Sequence, residues 1–82
     1  MQISNEEATA TLIRLADAEL TELELQTKGE GDEVKMYVSL FMAEMNHELN
    51  KAESKLAVAD DELSLKMFRA VKQIRAYKES LF

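Results

Sequence analysis

The sequence predicts an all-α fold: a small helical bundle of three helices, or a helical hairpin with one long second helix, paired as a dimer. Three observations predict it. The 82 residues contain no proline and two glycines, Gly29 and Gly31, set two residues apart. Those two types carry the largest helix penalties, roughly 3 kcal/mol for Pro and 1 kcal/mol for Gly, so the rest of the chain is free to be helical. Apolar residues recur three and four apart along almost the whole length, and no stretch alternates with the period of a strand. Finally, three successive segments each open with acid and close with base, the polarity that complements a helix dipole.

The first segment is expected over about residues 5–28. Ser4 and Glu7 have the spacing of a capping box, hydroxyl to the N3 amide and carboxylate back to the cap. Ala8, Leu12, Leu15, Ala16, Leu20 and Leu23 form its apolar stripe, with Arg14, Asp17, Glu22 and Glu24 outside it. Thr27-Lys28-Gly29 reads as its end, with a cation in the last turn and Gly29 in the left-handed conformation. On that reading a β-branched residue at position 29 costs more than a change at any exposed helical site. The one sharp reversal is expected at residues 27–32.

The second segment is expected over about 33–58, opening at Asp32-Glu33 and closing around Lys51 and Lys55. Its seam is Met42, Met45, Leu49, Ala52, Leu56 and Ala59. The third, about 61–82, opens at Asp60-Asp61-Glu62 and closes with Arg75 and Lys78; its seam is Leu63, Met67, Ala70, Ile74, Tyr77 and Leu81. No breaker separates these two, and their seams join through a stutter that a continuous coiled coil tolerates. A single helix over 32–82 would be roughly 75 Å long at 1.5 Å per residue. The acidic triplet at 60–62 favours a helix start, and so three helices.

One domain, residues 1–82, follows from the length. A chain this small buries only roughly 60% of its unfolded surface, and association is a common remedy. Without cysteine there is no disulfide, no thiolate metal ligand and no cysteine nucleophile. The opening residues lack the basic start and apolar run of a secretory signal. The densest apolar stretch, residues 36–45, is too short to span a bilayer. A cytoplasmic accessory protein of a bacterium or its phage, with no membrane partner, is the expectation.

Within residues 36–45 the helix is apolar on two sides. Val38, Phe41, Met45 and Leu49 continue the inward stripe, whereas Met36, Leu40 and Ala43 lie opposite. A helix of that kind must bury both faces. The expected protein interface is therefore Met36, Leu40, Phe41, Met42 and Met45, the methionines supplying adaptable contact.

Charge is divided. The net charge is −6, but residues 1–62 hold fifteen acidic against five basic side chains, a balance of −10. Residues 63–82 hold only Glu79 against Lys66, Arg69, Lys72, Arg75 and Lys78, a balance of +4. Spaced every three residues, these cations wind around a helix, and only neighbours such as Arg69, Lys72 and Arg75 form a possible basic contact surface for nucleic acid. They also suit an intramolecular role as counter-charges to the acidic body. Glu19, Glu22, Glu24 and Glu30 are the candidates for an acidic inhibitor that imitates nucleic acid.

Glu44-Met45-Asn46-His47 has the Glu-x-x-His spacing of di-iron bundles, but it occurs once and its His47 lies opposite the inward seam. It reads as a surface histidine, and no metal or cofactor is expected. Gly29-Glu30-Gly31 lacks the Lys-Ser/Thr that completes a phosphate loop. The expectation is a non-enzymatic, self-associating protein–protein interaction module (adaptor, chaperone or inhibitor) that forms a homodimer. The alternatives are a nucleic-acid-associated regulator using the basic last helix and the acidic mimic.

Overall fold

The computed structural model describes residues 3–82: helices α1 (Asn5–Gln26), α2 (Asp32–Glu53) and α3 (Asp61–Leu81), with a 3-10 turn at Leu56–Val58. Among the described residues there is no strand. The three-helix alternative is the one adopted, and the long second helix is not.

Each boundary has a local cause. The Glu7 amide donates to Ser4 Oγ at 3.1 Å, which caps α1. At its other end the buried Thr27 turns its hydroxyl onto the Glu24 carbonyl at 2.9 Å, and the Thr27 backbone remains right-handed. The expectations at this turn are corrected in two respects. The helix stops at Gln26, before Lys28, so no cation lies in its last turn. No described glycine has positive φ, and a Cβ at Gly29 would meet nothing within 4 Å. Because a threonine hydroxyl ends the helix, the left-handed cap is not needed. Gly31 serves as the N-cap of α2 in extended conformation.

A further correction concerns the end of α2. The helix stops at Glu53, five residues before the expected 58, where Ser54 Oγ donates to the Lys51 carbonyl at 2.7 Å. The 3-10 turn follows, Ala59 and Asp60 are extended, and Asp60 Oδ1 accepts from the Leu63 amide at 2.9 Å to start α3. Two reversals are thus present where one was expected. A serine and a capping aspartate make the second without glycine or proline.

Cross-helix contacts fix the topology as up-down-up. Thr9 Oγ1 meets Ser64 Oγ at 2.9 Å near the starts of α1 and α3, and Glu19 meets Arg75 and Lys78 further along both. Those two helices therefore run parallel. The Phe41 and Tyr77 rings stack at 3.9 Å between centroids, and Glu48 pairs with Lys66 at 3.3 Å, so α2 runs antiparallel to α3. The core joins Ala16 and Leu20 of α1, Met45, Leu49 and Ala52 of α2, and Met67, Ala70, Val71 and Ile74 of α3.

Most seam positions are where the periodicity put them. Leu15 and Leu81 are exceptions, 38% and 36% exposed, as is the connector after α2, where Leu56 and Ala59 are half-buried. Thr9 and Val71 are buried in addition. Thr9 is tolerated there because its hydroxyl is matched by Ser64.

Candidate functional site

The α2 helix presents its second apolar side to water. Leu40 is 63% exposed, Tyr37 54% and Met36 53%, and Ala43 is exposed beside them. One turn separates Leu40 from Met36, so the three large side chains form a contiguous patch on the first half of the helix. Phe41 and Met42 are half-buried at the margin of the core, and Met45 lies within it. Of the five residues expected at an interface, Met36 and Leu40 are therefore open to a partner, and Met45 is not. Tyr37 belongs with them and escaped the sequence reading, although it sits one turn before Phe41 at the edge of the inward stripe.

The bundle leaves a groove of about 240 Å³ between α2 and α3. Met45, Met67 and Ala70 line it between two charged walls, Glu44 and Glu48 from α2 and Lys66 and Arg69 from α3. The Lys66 ammonium, hydrogen-bonded to Glu48, holds that carboxyl below the usual 4.5. Glu44 and Arg69 have no ion-pair partner among the described residues. Nothing in the sequence juxtaposes Glu44 with Arg69, because their proximity depends on the turn at residues 54–60.

The basic set of α3 is divided by the fold. Lys78 lies 2.8 Å from Glu19 and 3.4 Å from Glu22, and Arg75 lies 3.2 Å from Glu19. The Lys78 hydrogen bond depresses the Glu19 carboxyl against an opposing desolvation, and the same bond raises the Lys78 ammonium above 10.5. Arg75 is thus engaged within the chain, as are two of the proposed mimic carboxylates, Glu19 and Glu22. Arg69 has no ion pair among the described residues, and Lys72 lies 5.5 Å from the centre of the exposed Phe68 ring, a cation–π contact.

His47 is exposed on the outer side of α2. Among the described residues no three His, Cys, Asp or Glu side chains converge as a metal site would require. No helix among them is long and apolar enough to cross a membrane. Comparison with protein families, curated proteins and solved structures gives no significant match.

Proposed function

We propose that this chain is a protein–protein interaction module that acts by binding rather than catalysis and associates with itself through the outer face of α2. The observation that carries the reading is the patch of Met36, Tyr37 and Leu40, each more than half exposed on one helix. Contiguous exposed apolar groups of this size mark partner sites more often than isolated ones do. Completing the burial of each contributes about 1 kcal/mol, half of the usual range for a whole side chain. Six such residues across a two-fold axis contribute about 6 kcal/mol, which exceeds the lower values, about 4 kcal/mol, for the freedom lost in association by a small margin and so gives a weak, concentration-dependent dimer.

The nucleic-acid alternative is less favoured, because Lys66, Arg75 and Lys78 are committed to carboxylates of α1 and α2. Sedimentation equilibrium from a few to several hundred micromolar tests the reading. The wild type is expected to shift from monomer to dimer across that range, and Leu40→Glu to remain monomeric. A wild type that stays monomeric throughout refutes self-association; a dimer indifferent to Leu40→Glu moves the interface elsewhere.

A further inference from the structure

The groove between α2 and α3 has walls of opposite charge, and this asymmetry says how a second copy would sit on it. We infer that it forms the centre of a two-fold interface between two copies of this chain, with the symmetry axis parallel to the helices. The inference rests on the self-association proposed above and specifies its geometry.

Two face-to-face arrangements bring this face against itself. If the axis lies across the helices at the level of the groove, α2 of one copy covers α2 of the other, and the acidic wall of Glu44 and Glu48 confronts the same wall of the other copy. Like charges brought together at an interface oppose association strongly. If the axis lies along the helices, α2 of each copy covers α3 of the other, and heights along the bundle are preserved. The acidic wall then meets the basic wall twice.

Particular residues fit the second arrangement. Glu44 and Arg69 line the same groove, lack intramolecular ion-pair partners among the described residues and are both exposed. Across the axis each Glu44 faces the other copy's Arg69. Leu40 lies one turn before Glu44 on the same face, and Ala76 lies two turns after Arg69. The stack of Phe41 on Tyr77 puts their neighbours Leu40 and Ala76 at one level, so the most exposed member of the apolar patch meets a small exposed residue across the axis. The patch and the charged groove become one continuous surface.

Charge-reversed variants test this pairing. Glu44→Arg and Arg69→Glu each place two repulsive contacts in their own homodimer, and each is expected to weaken association by about tenfold or more. Mixed together, the two variants form a heterodimer with both contacts attractive. In it the arginine introduced at position 44 faces the glutamate introduced at position 69, and the native Glu44 faces the native Arg69. Its affinity is expected to return to within about threefold of the wild type, and to fall with added salt. Circular dichroism checks that each variant keeps its helicity, and Glu44→Gln with Arg69→Gln serves as the neutral control pair. These two should weaken the dimer less than the reversals and gain nothing on mixing. A dimer unaffected by either reversal, or weakened variants that mixing does not rescue, overturns this geometry while leaving self-association standing. A wild type that is monomeric at every concentration overturns both.

Discussion

The two seams of α3 are built differently. Against α1 it runs parallel in the most extensive interface of the bundle, closed at one end by Thr9 and Ser64 and towards the other by Glu19 with Arg75 and Lys78. Against α2 the contact is sparse: one ring stack, one ion pair, and a groove between them. The first seam holds the fold. The second leaves α2 with an uncovered apolar side and leaves Arg69 of α3 without an ion pair among the described residues, and it is there that the proposed self-association would act. In so small a domain, groups not consumed by the core are the ones free to serve a partner.

The largest loss of stability is expected in the core that joins α3 to α1. Ile74 is fully buried in the core, and Ile74→Ala is expected to cost about 3–4 kcal/mol in chemical denaturation. That is a large share of the roughly 5–15 kcal/mol available to a folded domain, so a partly unfolded variant at room temperature is the expected result. A loss under 1 kcal/mol would mean that this seam does not carry the bundle.

A smaller effect is expected at the α2/α3 seam. Phe41→Ala removes the stack on Tyr77 from a half-buried site, and about 1–2 kcal/mol is the expected loss. The ratio of these two losses sharpens the contrast, and equal values would erase it.

Smaller again is the ionic clamp. Glu19→Gln is expected to cost about 1 kcal/mol or less near neutral pH, since its partners are partly solvated. The sign of its pH dependence follows from the two shifted groups. The Glu19 carboxyl is depressed, so its contribution is complete above 4.5 and is lost as pH falls through the lower folded value. The Lys78 ammonium is raised, so its contribution is complete below 10.5 and is lost as pH rises through the higher folded value. The stability difference between wild type and Glu19→Gln should therefore be flat between those limits and shrink beyond both. A difference that grows in acid contradicts the clamp.

Much of the first seam was legible in the sequence, because it rests on local rules. Ser4 and Asp60 cap the helices whose starts they mark, and Ala16, Leu20, Leu23, Met67, Ala70 and Ile74 are buried on the stripes that helical periodicity draws. What escaped depends on tertiary placement. Thr9 is buried only because parallel packing brings Ser64 to its hydroxyl, and α2 ends at Glu53 through a serine and a 3-10 turn that carry no breaker residue. The candidate site was legible in part. The two-sided apolar pattern of residues 36–45 sets Met36 and Leu40 opposite the inward stripe and Met45 on it, and it is the stripe position, not the expected place at the interface, that holds for Met45, which the core absorbs. Nor could a run of cations reveal that Arg75 is held by Glu19 from a helix 56 positions earlier in the chain, whereas Arg69 is left beside an acidic wall.

A dilution series followed through backbone amide chemical shifts tests self-association residue by residue, because it reports both seams of α3 in one experiment. Concentration-dependent shifts are expected at Met36, Tyr37, Leu40 and Glu44 of α2 and at Arg69, Gln73 and Ala76 of α3. The outer positions of α1, such as Thr11 and Ala18, should stay fixed. Shifts centred on α1, or none at any concentration, would contradict it.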